Sequence, residues 1–185
     1  MQTHPRLTLI AAVDQNRLLA NEHGIPWHLP LDVEHFRSVT RNQWLLLGRR
    51  TYEEMRDWFK PAHTPLTLTS RTEWHPEHGK AIASVEAALR LARDHHASEL
   101  ICCGGAKTYA AALPFAQRLI ITQVHHRFPP ASHPVYFPPW NQEIWHQTDL
   151  VHHPADQQNP WSLDIITFDR APTTTAAPTT TCANG

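Results

Sequence analysis

The chain is poor in the residues that build extracellular staples and charged platforms. It has three cysteines in 185 residues, two of them adjacent as Cys102 and Cys103. That is a weak disulfide framework and fits reduced thiols better. The formal charge is -1, so neither nucleic acid nor an anionic membrane surface is indicated as a partner. No apolar run reaches the length of a membrane span, and no secretory apolar segment stands near Met1. A cytoplasmic protein is expected, with no membrane partner. Fifteen histidines are present, singly or as the pairs His95-His96, His125-His126 and His152-His153, without His-Glu-x-x-His or Cys-x-x-Cys. Adjacent side chains point to different faces, so a pair is a weak chelate. The histidines read as surface polar residues, and no metal is expected. The Gly-x-Gly-x-x-Gly of dinucleotide-binding folds is also missing.

What remains is the composition of an ordinary globule, 41% hydrophobic and 18% charged. One domain is expected over residues 1–170. The Ala/Pro/Thr repeat of residues 171–185 cannot bury a core and should be disordered. Short apolar runs at Leu7–Val13, Gln43–Leu47, Pro65–Thr69, Glu99–Cys103 and Leu119–Val124 read as strands. Helical patterns follow most of them, among them one capped by Ser84 with Val85, Ala88, Leu89 and Ala92 on one face. Glu143–Leu150 and Trp161–Phe168 alternate like late, antiparallel edge strands. This order predicts an α/β fold: a mainly parallel, mixed central sheet flanked by helices. Asp14–Ile25 is a long polar connection of the kind that often forms a lid or binding loop.

The most informative stretch is Ile25-Pro26-Trp27-His28-Leu29-Pro30-Leu31-Asp32-Val33-Glu34-His35-Phe36-Arg37. Its prolines hold the chain extended around an indole, and a helix begins after the second. Asp32 falls in the first turn with apolar Val33 and Phe36 as inward candidates. Its carboxylate either caps the helix or reaches into a pocket to bind a polar ring. Three further turns carry small or basic residues just beyond strand ends: Gly48-Arg49-Arg50-Thr51, Ser70-Arg71 and Gly104-Gly105-Ala106-Lys107-Thr108-Tyr109. Free N–H groups at helix starts, with arginines beside them, suit phosphate. In such sheets these turns share the carboxyl edge, where ligands bind.

Taken together, the order and spacing of these pieces resemble the dihydrofolate reductase family from about Leu7 to Arg170. The carriers are Leu9-Ile10-Ala11-Ala12, the Pro-Trp-His-Leu-Pro-Leu-Asp block, the three turns, the strand ending near Thr122, and Tyr136-Phe137-Pro138. The resemblance implies NADPH-dependent reduction of dihydrofolate to tetrahydrofolate by a monomer, a place in one-carbon metabolism, and an antifolate target. It implies catalytic roles for Asp32, Trp27 and Thr122: the carboxylate pairs with the pterin, the hydroxyl supports it, and the indole walls the pocket. Substrate contacts fall on Ile10, Ala11, Asp32, Val33, Phe36, Arg37, His63, Cys103 and Thr122. Cofactor contacts fall on Ala12, Leu19, Ala20, Gly24, Arg49, Arg50, Thr51, Thr69, Ser70, Arg71 and each residue from Gly104 to Tyr109, that is Gly104, Gly105, Ala106, Lys107, Thr108 and Tyr109. It also implies a cis Gly104–Gly105 peptide, and from apolar surroundings a raised Asp32 pKa is expected.

Three features depart from the family's pattern. The arginine that clamps the folate carboxylate aligns with His63, which cannot form a bidentate fork; Arg56, Lys60 or Arg37 could substitute. The mobile loop's glycine and methionine become Ala20 and Ile25. A Gly-Asp pair that steadies this loop becomes His133-Pro134. Two rival readings stand beside the reductase: the NADPH-dependent pyrimidine reductase of riboflavin synthesis on the same fold, and a pterin- or nucleotide-binding protein without turnover. The Trp27–Asp32 block argues against the first, and the intact turns against the second.

Overall fold

A computed structural model describes residues 4–130 and 132–172. The disorder expected of the tail falls, beyond Pro172, outside the described residues. Strand β1 (Arg6–Val13) is followed by β2 (Leu18–Ala20), helix α1 (Pro30–Thr40), β3 (Trp44–Gly48), α2 (Arg49–Met55), β4 (Thr64–Leu68) and β5 (Lys80–Ile82). Then come α3 (Val85–Asp94), β6 (Glu99–Gly104), α4 (Ala106–Ala112), β7 (Arg118–Val124), β8 (Val135–Tyr136), β9 (Trp145–His153) and β10 (Leu163–Arg170). Eight strands make one sheet in the order β5-β4-β3-β6-β1-β7-β10-β9, and β2 pairs with β8 in a separate ribbon. All pairings from β5 to β7 are parallel, whereas β10 runs antiparallel to both its neighbours.

The two-residue period of a strand explains why β1 is almost wholly apolar: both its faces are covered. Leu7, Leu9, Ala11 and Val13 join Val85 and Ala88 of α3 and Tyr109 and Ala112 of α4 in one core. Ile10 points the other way, into a cluster with Leu45, Leu47 and Cys103, against which Phe36 and Val39 of α1 pack. A third cluster gathers Leu18, Trp27, Leu29, Val124, Phe128 and Leu163 at the end of β7. The sheet therefore delivers residues of odd number in β1 to one helical layer and those of even number to the other.

The expected main strands and helices are present, with shifted edges late in the chain. The segment expected as a strand from Glu143 begins instead at Trp145, because residues 142–144 form a single 3-10 turn. The segment expected from Trp161 begins at Leu163. The short strands β2, β5 and β8 were not foreseen, being of three, three and two residues. At that length a periodic pattern carries no signal.

Candidate functional site

Helix α1 carries Asp32 because its own N-terminus is satisfied by another residue. Its N-cap is Leu29, whose side chain makes no capping bond, and Pro30 opens the first turn. The amide of Leu31 donates instead to Oδ1 of Asn159, 3.1 Å away. Asn159 is buried and its amide nitrogen donates to both oxygens of Asp156. Asp32 is thereby released from capping. Its carboxylate is half-buried, and burial raises its pKa above the ordinary carboxylate value, while a hydrogen bond from the Thr122 hydroxyl pulls the other way. Thr122 is buried and sits beside Ala12 across the β1–β7 ladder.

Around this carboxylate the structure sorts the expected residues. Asp32 and Phe36 lie one helical turn apart, and Phe36 packs with Ile10 and Cys103 on the sheet. Trp27 is buried, with its ring 5.1 Å from that of Phe128. Two of the expected substrate contacts face the site differently from Phe36. Val33 is 39% exposed and belongs to no core cluster, because it lies one position round the helix from the inward stripe. Ala11 has its methyl in the core against α3 and α4, so only its backbone is left for the face that bears Asp32. Arg37 is exposed.

His63 is more specifically built than its exchange for arginine suggests. Its ring stacks on Trp58 at 4.7 Å and 10°, and its Nδ1 accepts a 2.9 Å bond from the Lys60 amide. Burial, and secondarily the Lys60 charge, lower its pKa. Both effects favour a neutral ring with one N–H free. Trp58 also packs on Phe36 at 5.3 Å, so an aromatic wall with no signal in the sequence continues the apolar side of the site.

At the carboxyl edge the ends of β3 and β6 touch. A methyl at Gly48 would meet the Thr108 hydroxyl at 2.6 Å, and one at Gly105 would meet that of Thr51 at 3.3 Å. Gly104, at φ 102°, leaves room for the ring of Tyr109, which a Cβ there would meet at 2.8 Å. The Gly104–Gly105 peptide is cis. Tyr109 ties this turn to β1 by donating to the Ile10 carbonyl at 2.6 Å. Helices α2 and α4 thus start side by side, their hydroxyls interlocked with the neighbouring glycines. Ala106 is half-buried and Lys107 exposed at the start of α4. Arg49 is bound to Glu53 along its own helix at 2.7 Å, whereas Arg50 is exposed. Beyond β4, the Arg71 amide donates to the Thr69 hydroxyl at 3.1 Å, and Ser70 and Arg71 are exposed.

The connection after β1 is held at several points rather than loose. Asp14, fully buried, accepts from the amides of Asn16 (2.7 Å), Leu18 (2.9 Å) and Phe128 (3.1 Å). Leu19 packs on the main core, and Ala20 pairs with Val135 in the ribbon. Gly24 closes a turn with Asn21 at φ 97°. Glu22 accepts from the amides of Ser132 and His133, so the tie across the molecule runs from a loop carboxylate to backbone. An Asp followed two residues later by its own backbone partner is a legible turn signal; Asn159, 128 residues from its partner Leu31, has none.

The recesses lined by Arg170 with His4 and Leu89, and by Arg170 with Trp140 and Trp145, lie where parallel strands begin, the other edge of the sheet. They bring no carboxylate and no strand-to-helix turn. Among the described residues the thiols offer no nucleophile: burial raises the pKa of Cys102 to about 12 and that of Cys103 well upward too. No helix among the described residues is long and apolar enough to cross a membrane.

A family model described as dihydrofolate reductase matches residues 6–170. The chain is similar to the dihydrofolate reductase type 3 of Salmonella typhimurium, 33% identical over 164 residues covering 89% of this chain and 98% of that protein. It is also similar to the dihydrofolate reductase of Bacillus subtilis (strain 168), 26% identical over 164 residues, 89% of this chain and 94% of that one. Among solved structures, the Enterococcus faecalis dihydrofolate reductase complexed with NADP(H) and RAB-propyl superposes with a TM-score of 0.80 at 28% identity, covering 89% and 96% of the two chains. With Asp32 beside Thr122 and the paired glycine turns in place, the chain belongs to the dihydrofolate reductase family of NADPH-dependent oxidoreductases.

Proposed function

We propose that the protein reduces 7,8-dihydrofolate to 5,6,7,8-tetrahydrofolate with NADPH and so supplies one-carbon metabolism. The observation that carries this reading is one carboxylate, Asp32, held half-buried in a helix start that Asn159 caps in its place. A pterin presents an amino group and a ring N–H on one edge, a donor pair that suits the two oxygens of a carboxylate. Thr122 steadies that carboxylate, and Trp27 walls the pocket beside Phe128. Phe36, Ile10 and Cys103 supply the apolar side, extended by Trp58.

The turns fit the cofactor. Side chains at Gly48, Gly104 or Gly105 would fill the space where two helix starts meet, and Thr51, Ser70, Arg50, Arg71 and Lys107 provide hydroxyl and cationic partners for its phosphates. Ala12, Leu19, Ala20 and Gly24 would meet its nicotinamide half. When bound, NADPH supplies the hydride that the pterin receives at C6. The protein's share is to orient two flat rings and to favour protonation of pterin N5. Asp32 grips the far edge of the ring, so the proton reaches N5 from a water, with the carboxylate polarising the ring. Neutral His63 offers a single N–H to the carboxylate of the substrate's glutamate in place of a charged fork, and dihydrofolate is held more weakly for it.

NADPH oxidation followed by absorbance with dihydrofolate tests the reading. Turnover that is lost in Asp32→Asn supports it; NADPH binding without turnover sinks it in favour of a binding protein. In His63→Arg the Kd for dihydrofolate should fall while that for the tail-less pterin is unchanged.

A further inference from the structure

Reading the histidine pairs one pair at a time misses what the sheet does with them. His125 directly follows β7, His152 lies in β9, and Asp164 lies between them in β10. The register sets Asp164 opposite both Gln123 and His152. With a two-residue period, His125, Asp164 and His152 therefore share one face across three neighbouring strands. The Asp164 carboxylate stands between the imidazoles, Oδ1 at 2.6 Å from His152 Nδ1 and Oδ2 at 3.0 Å from His125 Nε2. The two rings are stacked, with centroids 5.6 Å apart. One nitrogen of each ring and one carboxylate oxygen all lie within 4.8 Å of one another.

We propose that this His125–Asp164–His152 cluster is a binding site for a divalent first-row transition ion of the Zn²⁺, Ni²⁺ or Cu²⁺ class, with water completing the shell. Two imidazole nitrogens and one carboxylate oxygen form a donor set that suits these ions, whereas Ca²⁺ and Mg²⁺ seek oxygen alone. Ligands at about 2.0–2.2 Å from such an ion stand roughly 3–3.5 Å apart, a spacing these side chains already approach. The scaffold is a hydrogen-bonded sheet, so little backbone order is lost on binding.

Ser162 supplies the outer contact that such a site needs. Its hydroxyl lies 3.2 Å from His125 Nδ1, the nitrogen turned away from Asp164. Without an ion, both imidazoles donate to Asp164, and Ser162 donates to the bare Nδ1. On binding, the proton of His125 moves to Nδ1, where the hydroxyl turns round to accept it, and that of His152 moves to its outer Nε2, so that Nε2 of His125 and Nδ1 of His152 present lone pairs. A hydroxyl can serve in either direction, and such a contact fixes the tautomer of a ligand histidine. His152 is half exposed, with a side-chain exposure of 53%, and leaves the outer coordination positions to solvent. None of these residues belongs to the candidate reductase site, so the proposal stands apart from that activity.

The test is calorimetric titration of the full chain with Zn²⁺, then Ni²⁺, beside His152→Ala, Asp164→Asn and the double control His95→Ala/His96→Ala. The expected result is one saturable equivalent in the parent and in the control, weakened at least tenfold in both site variants. Thermal unfolding gives a second reading: the ion should raise the Tm of the parent, EDTA should reverse this, and His152→Ala should not respond. Because His152 is an exposed side chain, its variant keeps the test alive if Asp164→Asn folds poorly. No saturable equivalent, or binding lost in the control but kept in His152→Ala, overturns the site.

Discussion

Two aspartates at the ends of neighbouring elements have opposite fates. Asp14, at the close of β1, is fully buried and takes three backbone amides onto its carboxylate. Asp32, in the first turn of α1, has a hydroxyl from Thr122 as its tie and a pKa raised by burial. The first is a structural post: through the Phe128 amide it holds the ring that packs on Trp27. The second is kept short of partners at a helix start, where such a side chain often takes an orphan amide. Asn159 takes that capping duty. The lesson is that burial alone does not distinguish a structural carboxylate from a chemical one; the count of donors pointed at it does.

The largest effect should come from Asp32→Asn, which keeps shape and removes charge. Turnover of dihydrofolate should fall about 10²–10³-fold, within the range of a lost acid–base group, while NADPH affinity measured by fluorescence stays unchanged. Next is Asp14→Ala. Stripping the acceptor from three amides should lower the urea unfolding free energy by about 3 kcal/mol, given about 1.5–3 kcal/mol for a hydrogen bond to a charged group and partial rescue by water. Turnover per folded molecule should fall far less than for Asp32→Asn. A reversal of these two profiles would erase the contrast between the aspartates.

Asn159→Ala sharpens it. Losing a cap costs about 1 kcal/mol, and Asp32 should then swing toward the vacated Leu31 amide. KM for dihydrofolate should rise with little change in the response to NADPH. The smallest effect is expected for Glu22→Gln, where a surface carboxylate holds two amides across the molecule. Hydrogen exchange at Ser132 and His133 should quicken, with turnover nearly intact.

The sheet was legible because β1, β3, β6 and β7 are short apolar runs punctuated by glycine or polar turns, a pattern set by burial on both faces. The turns at Gly48 and Gly104–Gly105 could be read as phosphate-suited from their small and basic residues, and the structure supplies a steric reason for the glycines: the Thr108 hydroxyl, the Tyr109 ring and the Thr51 hydroxyl occupy the space. Asp32 was visible as a carboxylate at a helix start, yet whether it capped the helix could not be read locally, since the deciding residue is Asn159. How Val33 and Ala11 face could not be read from their place along the chain, since one residue turns a side chain about 100° around a helix or to the other side of a strand. The convergence of His125 and His152 was hidden for a similar reason, as it depends on the register of β9 against β10.

The most direct measurement is the unfolding free energy of the parent against Asp32→Asn, followed by urea denaturation from pH 3 to pH 8. A carboxyl with its folded pKa raised binds its proton more tightly in the folded than in the unfolded state. Its stabilising share is present below the unfolded value near 3.8 and is lost as pH rises through the folded pKa. The account predicts near-equal stability in acid and, above the folded pKa, a parent that is less stable than the Asn variant by a constant margin. A parent that instead gains on the variant as pH rises would mean that the fold stabilises the Asp32 charge, and would contradict the account.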